Sequence, residues 1–159
     1  MDMKWYVLYV ESGRETDVQK KLSEQGFEAV VPIENRMIRH GGRWISRPYV
    51  VFPGYVFIRI AYNWMIYYTI AQIPGVIKLL GGGKDPEALT EQEAELIVRN
   101  AELFREPPLI RLHPEGYEIL NDKFDSFRVV RLDRHARRIT FTTTVSGKET
   151  EFTLSFIKA

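Results

Sequence analysis

The chain has 159 residues, enough for one ordinary domain or two small ones. Its 22 lysines and arginines against 21 acids leave a formal net charge of +1, so charge can argue only locally, and 45% hydrophobic with 13% aromatic residues excludes wholesale disorder. With no cysteine, disulfides, thiolate metal sites and cysteine nucleophiles are excluded, which fits a reducing cytoplasm. The first residues, MDMKWYVLYVESGRE, hold only a short apolar run, and no span of about 20 apolar residues follows. A soluble protein with no membrane partner is expected.

WYVLYV, from Trp5 to Val10, is a continuous β-rich run typical of a buried strand. Ser12 and Glu15 have capping-box spacing for a helix that places Val18 and Leu22 on one face and ends at Gly26. Phe27 to Ile33 reads as a second strand. ENRMIRHGGRWISRPY predicts a hairpin turning on Gly41 and Gly42. VVFPGYVFIRI, from Val50 to Ile60, is the most apolar strand, with a bend at Pro53-Gly54. Alternation sets Tyr55 and Phe57 on one face and Val56 and Ile58 on the other, and one of these faces is expected to be open.

A short helix is predicted over Tyr62 to Gln72, then a strand in IPGVIKLL and a glycine turn at 81–83. Thr90 and Glu93 form a second capping box, ahead of an apolar helical stripe of Ala94, Ile97, Ala101 and Phe104. Glu106 to Gly116 carries three prolines and reads as linker. Beyond it YEIL, FRVVRLD, RITFTTTV and ETEFTLSFI are short β-rich runs divided by polar turns, the texture of a small barrel. The expected organisation is an α+β domain over 1–105, a linker over 106–114 and an all-β domain over 115–159.

No catalytic set emerges. His40, His113 and His135 lack partners at metal-ligand spacing. The Gly81-Gly82-Gly83-Lys84 run fails as a phosphate loop, because Lys78 occupies the first glycine position and Asp85 stands where a hydroxyl should coordinate magnesium. No G-x-S-x-G occurs. The chain therefore reads as a non-enzyme without cofactor or metal.

Charge is uneven along the chain. Arg36 to Arg47 holds four arginines, one histidine and no acid; Lys123 to Arg138 holds six basic and two acidic residues; Asp85 to Glu106 holds seven acids and two arginines. Arginines beside aromatics suit phosphate backbones and exposed bases, although charge runs also mark plain solvated loops. Trp64, Met65, Ile66, Tyr67, Tyr68, Ile70 and Ile73 cover more than one face of a helix, so part of the cluster is either an interface or a buried all-round helix.

The ordered series WYVLYVESGRE, VVP, basic hairpin, FPGYVFI, IPGVIKLLGG and LTEQEAELI resembles the N-terminal (NGN) domain of the NusG family. RVVRLDRHARRITFTTTVSGKETEFTLSFI resembles its KOW barrel. VQKKL and YYTIAQIPGVIKLL are most similar to LoaP-type antiterminators, specialised paralogues near RfaH. The resemblance implies an antiparallel sheet flanked by helices, followed by a KOW-type β-barrel. It implies a monomeric factor of the bacterial cytoplasm that binds RNA polymerase and suppresses pausing and termination.

By position, the resemblance assigns Phe52, Tyr55 and Phe57 to a cavity gripping the polymerase clamp helices. It assigns Tyr67 and Tyr68 to the stretch near the gate loop, here without the His-Thr-Thr of RfaH. A LoaP-like factor recognises an RNA hairpin in the leader, so the resemblance implies an RNA hairpin, or else non-template DNA, as the nucleic-acid partner. The residues looked to for nucleic acid are Arg14, Lys20 and Lys21 on the first helix and Arg36, Arg39, Arg43 and Arg47 on the hairpin. Ribosomal or termination proteins are the partners implied for the KOW domain, whose loop is shortened to NDKFDSF with Phe127 in place of the usual glycine. That loop must be built differently, since phenylalanine resists a positive φ. RfaH can refold this domain as a helical hairpin; the β-branched run from Ile139 to Val145 favours strand instead. The alternatives are a general NusG-like elongation factor, a free-standing RNA-binding module and a ribosome-associated KOW protein.

Overall fold

The computed structural model describes residues 2–79 and 86–159; the glycine turn expected at 81–83 lies outside them. In chain order the elements are β1 (Lys4–Val10), α1 (Glu15–Glu24), β2 (Glu28–Val30), β3 (Ile33–His40), β4 (Arg43–Val50) and β5 (Tyr55–Ile60). Then come α2 (Trp64–Ala71), β6 (Val76–Leu79), α3 (Glu91–Ile97), β7 (Leu109–His113) and β8 (Gly116–Ile119). The last are β9 (Arg128–Asp133), β10 (Arg138–Val145), β11 (Lys148–Ser155) and β12 (Ile157–Lys158). The fold is α+β, with an NGN-like N-terminal part and a β-rich C-terminal part. Two compact units interleave along the chain. The first comprises Met1–Val31, Phe52–Asn100 and Val145–Lys148; the second comprises Pro32–Val51, Ala101–Thr144 and Glu149–Ala159.

The first unit is built on a four-stranded sheet of order β2-β5-β1-β6. The apolar runs of β1 and β5 pair antiparallel at its centre, with Val7 opposite Phe57 and Leu8 opposite Val56. Central strands flanked on both edges and covered on both faces need no alternation, which is why these two segments read as continuous hydrophobic runs. The expectation of an open face on β5 is therefore corrected: Tyr55, Val56, Phe57 and Ile58 are all buried. Helix α1 packs against β5 and buries Val18 and Leu22.

The capping box expected at Ser12 does not form. Arg14 holds the N-cap position with no side-chain cap, and the Glu15 carboxylate accepts instead from the backbone N–H groups of Gly13 (2.9 Å) and Gly54 (2.7 Å). Gly54 sits at φ +85, a turn geometry that brings its N–H inward. At α3 the box does form: the Thr90 hydroxyl accepts from Glu93 N–H, and the Glu93 carboxylate accepts from Thr90 N–H. Glu93 also accepts from the backbone N–H groups of Ser146 and Gly147, both at 3.2 Å. The apolar stripe beyond Ile97 is not one helix. The Asn100 amide donates to the Glu95 carbonyl at 2.7 Å, closing α3, and a 3-10 turn over Ala101–Arg105 then buries Phe104.

In the second unit, β3 and β4 pair in register from Ile33 opposite Val50 to His40 opposite Arg43. They turn on Gly41 (φ +58) and Gly42 (φ +79), two left-handed residues whose twist matches a two-residue hairpin. Two three-stranded sheets follow, β11-β10-β9 and β12-β7-β8. The C-terminal part is thus in strands, as the β-branched run predicts.

The stretch 106–114, read as linker, carries strand β7. Its prolines bracket the strand rather than interrupt it: Pro107 and Pro108 precede Leu109, and Pro114 follows His113 in the turn to β8. The shortened NDKFDSF loop becomes a 3-10 turn over Asp122–Phe124. Phe127 needs no positive φ; it is buried, with ring centroids 5.1 Å from Phe152, 6.0 Å from Phe141 and 6.1 Å from Phe104. An aromatic core thus takes the place of the glycine.

Candidate partner and nucleic-acid surfaces

The aromatic residues fall into two environments. Phe52, Tyr55 and Phe57 stack edge-on, 5.8 Å between Phe52 and Phe57 and 6.5 Å between Tyr55 and Phe57. They are 2%, 9% and 0% exposed, so they are core and not an exposed grip. Helix α2 behaves oppositely. Asn63 caps it by accepting from Ile66 N–H at 2.9 Å, and only Ile70 is buried along its length. Trp64, Met65 and Tyr68 are 70%, 78% and 60% exposed. Tyr67, half-buried, ties the patch down through Tyr62 and Trp64, at 6.3 and 6.1 Å between centroids. Large apolar side chains held this far into water make this face a candidate interaction surface.

The cations divide by whether a carboxylate neutralises them. On α1, Arg14 pairs with Glu11 and Asp17, and Lys21 pairs with Asp17; Lys20 is exposed and, among the described residues, unpaired. The hydrogen bond from Lys21, then that from Arg14, holds the Asp17 carboxyl below the usual carboxylate range. On the hairpin, Arg36 is bound to the buried Glu34 at 2.8 Å and donates to the Thr153 carbonyl. Glu34 also accepts from the Ser155 N–H at 3.0 Å, so this pair is structural. Arg39, Arg43 and Arg47 have no carboxylate within 4.0 Å among the described residues, and all three are exposed. Of the seven residues looked to for nucleic acid, the structure thus leaves four as open charge, and three of those share the hairpin.

The basic run from 123 to 138 divides the same way. Arg128 and Arg131 pair with Glu149 and Glu151. Arg134, Arg137 and Arg138, in and after the β9–β10 turn, have no carboxylate within 4.0 Å among the described residues. Burial, and then the neighbouring Arg36 charge, lower the Arg138 pKa from the ordinary arginine value. Arg137 is held at φ +57, a backbone state that costs a non-glycine residue on the order of 1–3 kcal/mol. Its guanidinium lies 4.7 Å from the centroid of the Trp44 ring, and that of Arg39 lies 5.4 Å from the same ring.

The chain matches the family model described as "Transcription termination factor nusG" over residues 3–98. This chain belongs to the NusG family. It is 27% identical to the transcription termination/antitermination protein NusG of Buchnera aphidicola, over 96% of this chain and 93% of that one. It is also 27% identical to that of Bacillus subtilis, over 98% and 97%. The solved structure of Thermotoga maritima NusG that describes its domain interaction superposes with a TM-score of 0.61 at 25% identity, covering 98% of this chain and 94% of that one.

The open features of this NusG-family chain are its unpaired arginines and its exposed α2. Among the described residues there is no group of three or more metal-ligating side chains, and no helix is long and apolar enough to cross a membrane. The sequence flagged the 123–138 run as basic but singled out none of its residues. The signal that separates them is the placement of Glu149 and Glu151 on β11, across β10 from β9, which the sequence alone does not register.

Proposed function

We propose that this chain is a transcription elongation and antitermination factor that binds bacterial RNA polymerase at its clamp helices and is recruited by a nucleic-acid signal, an RNA hairpin or non-template DNA. The observation that carries this reading is the pairing of an exposed apolar α2 surface with unneutralised hairpin arginines, in a member of a transcription-factor family. Trp64, Met65 and Tyr68 supply the apolar anchor, with Tyr67 beneath them. Phe52, Tyr55 and Phe57 serve as the packed core of the polymerase-binding domain. Binding the elongation-competent clamp more tightly than the paused one shifts the enzyme away from pausing and termination. Arg39, Arg43 and Arg47 supply the phosphate contacts for recruitment. The recruited mode makes the protein LoaP-like; the β-rich C-terminal part is left to hold ribosomal or termination partners.

Single-round transcription through an intrinsic terminator tests this, on templates with and without a structured leader. Read-through only with the leader is the expected result. Read-through on every template makes the protein a general elongation factor. Unchanged termination without polymerase binding removes the antitermination reading.

A further inference from the structure

We propose that the nucleic-acid site does not end at the hairpin but continues onto the β9–β10 turn, forming one groove that binds a single-stranded segment. The proposal rests on the recruitment reading above and adds to it residues from the opposite end of the chain. Arg39 and Trp44 on the hairpin line a groove of about 620 Å³ together with Arg134, Arg137, Arg138 and Lys158. All six belong to the second compact unit. Five are permanent cations, and no aspartate or glutamate lines the groove. Away from the groove and the hairpin, arginines of this unit are matched to acids, as Arg128 is to Glu149 and Arg111 to Glu118. Here the matching stops, so the groove holds uncompensated positive charge.

Two details point to a strand of nucleotides rather than to any anion. Trp44 offers an indole face at the groove, with two guanidinium groups already over its ring system at 4.7 and 5.4 Å. A base that takes the place of one guanidinium stacks on such a platform, freeing that cation to meet its phosphates. The second detail is how the turn is held. Asp133 accepts from the Ala136 N–H at 2.9 Å, and Arg134 donates to the Gly116 carbonyl at 2.8 Å. Phe156 N–H donates to the Arg137 carbonyl at 3.0 Å. With its backbone fixed at Ala136 and Arg137 and its Arg134 side chain tied to Gly116, the turn presents Arg137 in a left-handed conformation that aims it at Trp44. Duplex DNA cannot bring a base face to the indole without unstacking, so the groove favours single strands, loops and splayed ends.

The experiment titrates the full chain with fluorescently labelled poly(U), oligo(dT), duplex DNA and poly-glutamate across a range of salt. Single strands should bind best, with the RNA and DNA arms separating the two sources. Arg134→Gln with Arg137→Gln should weaken binding about tenfold at low salt and lower the slope of log K against log salt by about 1.4, at about 0.7 per lost phosphate contact. Arg134→Lys should retain the slope, and Trp44→Leu should weaken binding with the slope unchanged. Thermal unfolding of each variant keeps a folding defect from being read as lost contact; if the turn variants unfold, Lys158→Gln supplies the same slope test. If Arg39→Gln with Arg43→Gln weakens binding and the turn variants do not, the extended groove is overturned and hairpin recruitment stands. If poly-glutamate binds as tightly as poly(U), the groove is a general anion site and the proposal fails. If no nucleic acid binds at low salt, both readings fail together.

Discussion

The carboxylate of Glu15 and the backbone N–H of Gly54 meet at 2.7 Å inside the first unit, tying the start of α1 to the turn that enters β5. A second oxygen of the same carboxylate accepts from Gly13 N–H at 2.9 Å. Truncation to alanine leaves the Gly54 donor buried without its acceptor. Glu15→Ala should therefore cost about 2–3 kcal/mol in urea unfolding, the range for a charged hydrogen bond lost from a buried donor. Glu15→Gln, which keeps an acceptor oxygen but not the charge, should lose less. Equal losses in the two variants would show that shape alone matters at this position.

The exposed face of α2 and the buried face of β5 make opposite predictions. Trp64→Ser, Met65→Ser and Tyr68→Ser should leave the urea midpoint nearly unchanged, since these side chains stand in water, and should abolish terminator read-through. Phe57→Ala removes a fully buried ring and should cost about 3–5 kcal/mol. Read-through that survives the α2 variants would move the polymerase contact elsewhere.

Glu34 holds Arg36 and the Ser155 N–H together, at 2.8 and 3.0 Å. Its removal strands a partly buried guanidinium beside Arg138, which is already disfavoured by burial and by the Arg36 charge. Glu34→Ala should destabilise by about 3 kcal/mol, as expected when one member of a buried pair is deleted. The double variant Glu34→Ala with Arg36→Met should recover part of that loss in the same unfolding assay.

Phe127, where the family resemblance places a glycine, has its ring at the centre of the aromatic core. Phe127→Ala should cost about 3–5 kcal/mol, a cavity penalty. Phe127→Gly should cost at least as much, because no positive φ is there to be relieved. A glycine variant as stable as the parent would mean that the loop, not the core, governs this position.

Asp17 ties α1 to a pH window. Lys21 and then Arg14 lower its folded pKa, so its contribution is fully present above the unfolded carboxyl pKa and is lost as pH falls through the lower folded value. Asp17→Asn should narrow the difference in urea midpoint between neutral and acid solution, with parent and variant converging at the acid end. A constant offset at every pH would assign the effect to helix propensity.

Much of this architecture is legible from local pattern. The unbroken apolar runs of β1 and β5, the paired glycines 41 and 42 and the Thr90–Glu93 box each carry their own geometry. What local pattern cannot supply is who covers whom. Ser12 and Glu15 have the right spacing for a cap, yet Gly54, distant in sequence, claims the carboxylate. Alternation on β5 suggests an open face because it does not register what packs over the sheet, where Tyr55, Val56, Phe57 and Ile58 are all buried. The prolines around Leu109 look like a linker until β12 supplies a partner strand. At the candidate site, the hairpin charges are visible in sequence, but the neutralisation of Arg36 by Glu34 and the convergence of Arg137 on Trp44 are tertiary facts.

The parallel pairing of β12 with β7 sets Ile157 beside Leu109 and Lys158 beside Ile110. Along the chain β8 to β11 lie between β7 and β12, and folding passes through an interval in which β7 lacks that partner. Throughout that interval one edge of β7 has no neighbour and offers its N–H and C=O groups to any strand that arrives, a template for chain-to-chain addition. Ile157→Pro, which removes the N–H that β12 donates to the Pro108 carbonyl, should hold that edge open and make the protein aggregate more readily than the parent.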